Sequence, residues 1–257
     1  MSTPIPLPID PNRASAARIY DALLGGTHNF AADRAVVART LELIPDMAEI
    51  TKANRLFLRR AVRWAVSQGI RQFLDLGSGI PTEQNVHELA PEARVVYVDV
   101  DPTAVLYARH LLGDDPRVTV LTGDLREPSS LLPSVPLDFS EPVGILMVAV
   151  LHFIPDGPAL AGALRAYREI AAPGSVLVVS HATSDDRSAE LERVADIFNR
   201  TGSSLLPRDA PQVTRFFDGW NLVPPGVVPQ PLWHPDPDAP PADPSTFLML
   251  AGAAVRS

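Results

Sequence analysis

The 257-residue chain contains no cysteine, which excludes disulfides, thiolate nucleophiles and cysteine-ligated zinc. It has no excess of positive charge either. Its 22 Lys and Arg are scattered among 30 Asp and Glu, for a net charge of −8, which argues against a nucleic-acid partner. No apolar run is long enough to cross a bilayer: the most apolar stretch, Val143 to Ile154, falls well short of the ~18 to 20 residues required. The start of the chain, Met1 to Pro11, has four prolines and lacks the basic segment and apolar core of a secretory signal. There is no internal repeat. These absences lead to the expectation of a cytoplasmic protein with no membrane anchor, no nucleic-acid partner and no bound metal. With 46% hydrophobic and 20% charged residues, the chain has the composition of a folded domain, and its length suits one α/β domain.

The stretch Phe73-Leu74-Asp75-Leu76-Gly77-Ser78-Gly79-Ile80-Pro81-Thr82 reads as a short apolar strand, a tight glycine turn and the start of a helix. Gly77 and Gly79 allow a sharp turn and close approach to a ligand, and a helix start offers unpaired N–H groups. Asp99 lies 22 residues beyond Gly77, at the end of a second β-branched run, where a carboxylate can accept from both hydroxyls of a ribose. Taken alone, the turn is compatible with a dinucleotide, a sulfonium cofactor or a plain strand-to-helix connection.

Three helices are expected before that strand: Asn12 to Leu24, Ala31 to Leu43 and Met47 to Ser67, the first stopped by Gly25-Gly26 and the last by Gly69. Strands and helices then alternate. Gln72 to Leu76, Arg94 to Asp99, Val118 to Leu121, Val143 to Val150 and Ser175 to Ser180 read as strands. Thr82 to Ala90, Pro102 to Leu112, Ala159 to Ala171 and Asp186 to Arg200 read as helices. This order predicts a parallel sheet with right-handed crossovers. Val227 to His234 is a possible edge strand restricted by Pro229 and Pro231, Pro235 to Pro244 an exposed loop, and Thr246 to Val255 a last strand.

The set Asp75-Leu76-Gly77-Ser78-Gly79, Val98-Asp99, Gly123-Asp124-Leu125 and Ala149-Val150-Leu151-His152 follows strands one to four in order. It resembles the class I S-adenosylmethionine-dependent methyltransferases. More narrowly, Arg18 to Phe30 (RIYDALLGGTHNF), Asn54-Arg55, Gly79-Ile80-Pro81-Thr82 and His152-Phe153-Ile154-Pro155-Asp156 look like a bacterial S-adenosyl methyltransferase family formerly defined only as a domain of unknown function. The resemblance covers nearly the whole chain. It implies a Rossmann-like α/β fold, with a mostly parallel seven-stranded sheet, an antiparallel edge strand, helices on both faces and an N-terminal helical cap. It also implies S-adenosylmethionine as cofactor and S-adenosylhomocysteine as product, but names no acceptor. Within a single domain of residues 1–257, residues 1–68 are expected to form the cap and residues 69–257 the core.

By that resemblance Asp75, Gly77, Ser78 and Gly79 form the loop around the amino-acid part of the cofactor, Asp99 binds its ribose hydroxyls, and Val100 and Ala149 also belong to the cofactor site. Asp124 and the Leu125 backbone would meet the adenine, with Arg126 either fixing Asp124 or solvated. Each has a plain alternative: the glycines a simple turn, Asp124 an Asx turn. Asp101 suits the cap of the helix from Pro102, and its role and that of Asp99 are interchangeable on sequence grounds. His152, at the carboxyl end of the fourth strand, is the candidate general base, or else a residue that orders its loop; His181 has a smaller claim. Tyr20, His28, Asn29 and Phe30, with Arg18 and Arg55, either form a lid over cofactor and acceptor or do ordinary work, Asn29 capping a helix and the arginines making salt bridges.

The function expected is methyl transfer to a small-molecule acceptor. A non-catalytic protein that binds the cofactor or its product is the alternative. A nicotinamide-dependent oxidoreductase fits less well, because Thr82 stands where the dinucleotide fingerprint has its third glycine and about 70 residues precede the motif.

Overall fold

The computed structural model describes residues 9–82, 84–185, 188–201, 204–238, 243 and 246–257. Most of the proline-rich leader, the first two residues of the helix expected from Asp186, and much of the 235–244 loop lie outside the described residues.

Three helices come first: α1 (Ala16–Leu23), α2 (Ala31–Leu43) and α3 (Met47–Ser67). The sheet then builds from β1 (Gln72–Leu76), β2 (Arg94–Asp99), β3 (Val118–Thr122), β4 (Gly144–Val148), β5 (Val176–Ala182) and β8 (Met249–Val255), with the two-residue strands β6 (Asn221–Leu222) and β7 (Val228–Pro229). Its order is β3-β2-β1-β4-β5-β8-β6, with β7 also on β8. The first five strands are parallel and β8 runs antiparallel to β5.

The expected seven strand positions are present, but the last differs in detail. β8 is not at the edge. Its outer side pairs first with β6 (Leu222 opposite Ala254) and then with β7 (Val228 opposite Ala251), so two short segments share the seventh position. Pro224, Pro225 and Pro229 supply no N–H to a ladder, which accounts for the break and for the shrinkage of the expected 227–234 strand to two residues.

Along β1, β2, β4 and β5 successive side chains enter opposite layers. Leu74, Val96, Ile145 and Leu177 join one apolar cluster; Phe73, Val95, Leu146 and Val178 join another. The first is covered by α7 (Pro158–Ile170), through Leu160, Ala163 and Tyr167, and by Phe216 and Phe217 of a 3₁₀ turn after α9 (Ala210–Thr214). The second is covered by α3, whose Phe57, Leu58, Ala61, Val62 and Ala65 fall on one stripe, and by α4 (Val86–Leu89). Each such large apolar side chain contributes about 1.5–3 kcal/mol when fully buried. A third cluster joins α1 and α2 to α8 (Ser188–Asn199) through Ile19, Leu23, Val36, Leu191, Val194 and Phe198, and reaches Ala182 at the carboxyl end of β5. The remaining helices are α5 (Pro102–Leu112), capped by Asp101 through the Thr103 N–H at 2.8 Å, and the single turn α6 (Pro128–Leu131).

Other expectations need correction. The helix expected from Thr82 to Ala90 is reduced to α4, because the Asn85 side chain bonds both the N–H and the carbonyl of Thr82, at 3.2 and 2.7 Å, and stabilises a loop instead. The strand expected from Val143 to Val150 ends at Val148, since Ala149 takes a left-handed conformation with φ of 55°. Asn29 does not cap α2: Phe30 is its N-cap, and the Phe30 N–H is satisfied from within by Asp33 at 2.8 Å.

Candidate cofactor and acceptor site

β1 and β4 are neighbours, with Asp75 opposite Leu146, so the loops that leave them meet at the carboxyl edge of the sheet. Gly77 has a φ of 75°, and a Cβ placed there would lie 2.2 Å from Cγ2 of Val150. The turn after β1 is therefore seated directly under the turn after β4, and only glycine fits. Gly79, with a φ of 66°, faces open space, so its requirement is conformational alone.

The N–H groups of this turn do not stand ready for a ligand as a helix start would. Those of Gly77 and Ser78 both donate to the Val98 carbonyl, at 2.8 and 3.1 Å, and that of Gly79 donates to Asp99 Oδ2 at 2.7 Å. Asp99 Oδ1 accepts from the Asp101 N–H at 2.8 Å. A carboxylate has about four acceptor directions, so these bonds do not exhaust its acceptor capacity. Burial pushes the Asp99 carboxyl above its ordinary range, and its backbone donors pull it back. Val100, beside it, is 61% exposed and presents an apolar surface at the end of β2.

Asp75 is buried, and no hydrogen bond to its carboxyl is found among the described residues. Burial raises its pKa to about 7, with Arg55 opposing the shift and Asp99 adding to it. Arg55, from α3, also donates to the Gln84 carbonyl at 3.2 Å. After β3, Asp124 is held by the Arg126 side chain, with Nε 2.9 Å from both carboxylate oxygens, and this pairing lowers the Asp124 pKa. Leu125 turns its side chain into the core, and its carbonyl accepts from the Tyr167 hydroxyl at 2.9 Å. A cavity of about 330 Å³ opens beside Gly123 and Asp124.

His152 is 6% exposed, within the 3₁₀ turn Leu151–Phe153. Its Nδ1 accepts from the Ala182 N–H at 3.3 Å, so the neutral ring carries its proton on Nε2. Burial holds its pKa well below the ordinary value, and neighbouring His181 and Arg208 press it further down. His181 is buried too; Arg208 lies 2.7 Å from its Nε2, and burial lowers its pKa to about 4. Arg208 is itself nearly inaccessible, anchored on the Leu151 and Ile154 carbonyls and on Asp156. Among the described residues, no cluster of three or more His, Cys, Asp or Glu has metal-binding geometry.

The N-terminal candidates divide. Arg18 and Asp33 form a buried ion pair at 2.8 Å, with Arg18 5.1 Å from the Phe30 ring centroid, and Asp33 also accepts from the Ser15 and Phe30 N–H groups. Asn29 donates to Asp21 and to the Gly26 carbonyl, both at 2.8 Å, fixing the glycine loop. His28 reaches across to α5 and meets Tyr107 edge-on at 4.9 Å, close in sequence to Asp99 and Val100. Tyr20 accepts from Asn54 Nδ2 at 2.9 Å, and Asn54 Oδ1 accepts from the Ser180 hydroxyl at 2.6 Å. Burial raises the Tyr20 phenol, against the pull of Arg55 and the Asn54 bond.

Sequence reasoning gave Asn54 no role of its own and passed over Ser180. Both carry a signal. Asn54 is a polar residue within the apolar stripe Ile50-Phe57-Ala61 of α3, and Ser180 ends the apolar run of β5. Asp21 and Asp33 were also overlooked, because a single acid on a short helix reads as solvated.

The sheet order, the antiparallel β8 and the tight glycine turn after β1 are those of the class I, Rossmann-like fold of S-adenosylmethionine-dependent methyltransferases. The comparisons agree. Residues 3–257 match the family described as S-adenosyl methyltransferase, and the chain belongs to that family. A Thermobifida fusca YX protein, whose crystal structure is described as that of a candidate methyltransferase, is 38% identical over 99% of both chains, with a TM-score of 0.89. A DUF574 family protein from Streptomyces avermitilis MA-4680 is 34% identical over 96% of this chain and 99% of its own, with a TM-score of 0.90. Magnesium protoporphyrin IX methyltransferase from Synechocystis PCC 6803, with bound S-adenosylhomocysteine, is 16% identical over 93% of both chains at a TM-score of 0.57 and shares the fold. No curated protein matches the chain. Among the described residues no helix is long and apolar enough to cross a membrane.

Proposed function

We propose that the chain is a cytoplasmic enzyme that methylates a small acceptor held between the carboxyl edge of the sheet and its N-terminal helices, residues 1–68 serving as cap and 69–257 as core. The observation that carries this reading is the glycine turn packed under Val150, flanked by Asp75 and Asp99 with unused acceptor capacity. Val150 packed against Gly77 holds the turn close to the sheet edge, and the two carboxylates suit a ligand with an ammonium at one end and a ribose at the other.

When bound, S-adenosylmethionine supplies an electrophilic methyl carbon and its own thioether leaving group. The protein's part is alignment and exclusion of water. Asp99 accepts from the ribose hydroxyls and Val100 lies against the adenine, while Leu125 and Asp124 approach the adenine edge; Asp75, the Gly77–Gly79 turn and the Ala149 backbone receive the amino-acid end. Tyr20, His28 and Phe30 bound the acceptor side, and the contact of His28 with Tyr107 ties that loop to the adenine side. Arg55, near Asp75 and Tyr20, adds positive charge there.

His152 fits an ordering role better than that of a base. Its Nδ1 lone pair is taken by the Ala182 N–H, so accepting a proton requires that bond to break. The acceptor is then deprotonated by solvent or reacts as a free amine or anion.

Calorimetric titration with S-adenosylmethionine and S-adenosylhomocysteine tests the reading, with one site per chain expected. Folded protein that takes up neither ligand at millimolar concentration refutes it. Release of S-adenosylhomocysteine across a panel of alcohols, phenols and amines separates an enzyme from a protein that only binds.

A further inference from the structure

Ala149 is one of three described residues other than glycine with positive φ, and it stands at the carboxyl end of the central strand β4. A left-handed conformation is unfavourable for a residue with a Cβ and persists where surrounding bonds over-determine it. Here those bonds come from a single neighbour. The Ala149 N–H donates to the Ser180 carbonyl at 3.1 Å and to the Ser180 hydroxyl oxygen at 3.0 Å. That oxygen can accept from Ala149 while its hydrogen points elsewhere, and it points to Asn54 Oδ1 at 2.6 Å. The Asn54 amide is oriented in turn by donating to Tyr20 Oη at 2.9 Å.

The chain of bonds thus runs from α1 through α3 and β5 to the turn after β4. Ser180 and Asn54 are buried, 0% and 1% exposed, so water does not compete for these groups. The next residue, Val150, closes over Gly77. A change in the Ala149 backbone would move Val150 and with it one wall of the glycine turn.

We infer that Asn54 is a positioning residue: through the Ser180 hydroxyl it fixes the left-handed Ala149 turn that seats Val150 over Gly77, and so couples the N-terminal helices to cofactor affinity. The inference rests on the proposed placement of the cofactor at this turn. It adds that part of the cofactor's affinity is set from α3, two hydrogen bonds away from the Ala149 backbone.

The test measures S-adenosylhomocysteine affinity by calorimetry, and melting temperature, on full-length wild type, Asn54→Leu, Ser180→Ala and the double variant. Ile44→Ala is the control, since it removes buried side chain from the N-terminal region without touching the hydrogen-bond chain. Each single variant is expected to weaken binding about 5- to 10-fold, and the double variant no more than the weaker-binding single, because both cut one chain of bonds. Ile44→Ala is expected to lower the melting temperature and leave affinity within twofold. Ser180→Ala removes one oxygen only and carries the measurement if Asn54→Leu does not fold. Wild-type affinity in folded Ser180→Ala, losses that multiply in the double variant, or an equal loss in Ile44→Ala overturns the inference. Wild-type protein that binds no S-adenosylhomocysteine overturns the proposed function beneath it, a different result from wild-type binding with unaffected variants.

Discussion

The Ser180 hydroxyl donates to Asn54 Oδ1 at 2.6 Å, joining the central sheet to a helix 126 residues earlier in the chain. This bond and the apolar stripe of α3 fix how the N-terminal region meets the sheet. Apolar contacts alone would allow α3 some rotation about its axis, whereas a buried amide satisfied on both ends sets one orientation.

Asp99→Ala removes the proposed acceptor for the ribose and takes away the partner of the Gly79 and Asp101 N–H groups. Affinity for S-adenosylhomocysteine is expected to fall about 10- to 100-fold, the range for lost hydrogen bonds to a charged group. Calorimetry reads this directly, and an unchanged affinity would remove Asp99 from the site.

Gly77→Ala and Gly79→Ala separate strain from collision. Both positions have positive φ, which costs about 1–2 kcal/mol for alanine. Gly77 has in addition the Val150 side chain in the way, and overpacking adds about 1–3 kcal/mol. Chemical denaturation should find Gly77→Ala the less stable of the two, with Val150→Ala recovering part of its loss but none of that of Gly79→Ala.

Asp75 makes stability depend on pH in the sense opposite to a salt-bridged acid. Its carboxyl ionises near 3.8 in the unfolded chain and near 7 in the folded protein, chiefly through burial. Across that interval the folded state holds the larger share of protons, so this group makes stability fall as pH rises from about 4 to about 7. Asp75→Asn removes the effect. Denaturant titrations should show its advantage over wild type widening across the same interval and then levelling.

The His152–His181 pair acts from the acid side. Burial depresses both imidazoles, His181 to about 4, while unfolded histidines protonate near 6.5. Below 6.5 the unfolded chain binds more protons, so stability falls as pH drops toward 4. Replacing His181 with glutamine should flatten that part of the pH–stability curve, even if it lowers stability at pH 8 by disturbing Arg208.

Arg18→Ala leaves Asp33 buried beside two backbone donors but without its counter-ion. Deleting one partner of a buried pair costs about 3–5 kcal/mol. Thermal melts should reveal a loss of that order, larger than for the more exposed Arg117, whose pairing with Asp115 lies near the surface.

The frame was legible because hydrophobic periodicity and glycine punctuation are local. The three N-terminal helices and β1, β2 and α5 stand within a few residues of where the pattern puts them. Deviations arise where a side chain or a distant strand overrules the pattern. Asn85 bonding Thr82 dissolves half a helix, and the left-handed turn at Ala149 ends β4 early. The break between β6 and β7 depends on which side of β8 remained unpaired, which only the assembled sheet decides. At the site, the glycines and Asp99 follow strand ends and could be read in order. The Asn54–Ser180 and Arg18–Asp33 pairings could not, since nothing in a single chain's spacing says which polar residues of distant elements will share the interior.

The divided seventh strand also bears on how the molecule behaves among its own copies. An exposed strand edge is a template on which another chain can continue the ladder. On this side the ladder stops after two residues, restarts out of line, and includes a proline at the second segment, so an incoming strand finds no continuous row of donors. On the opposite side the Arg109 side chain reaches the Val120 carbonyl of β3 and occupies one acceptor there. Both borders of the sheet thus offer an incoming strand an interrupted row of backbone groups, through irregular sequence at one and a charged side chain at the other.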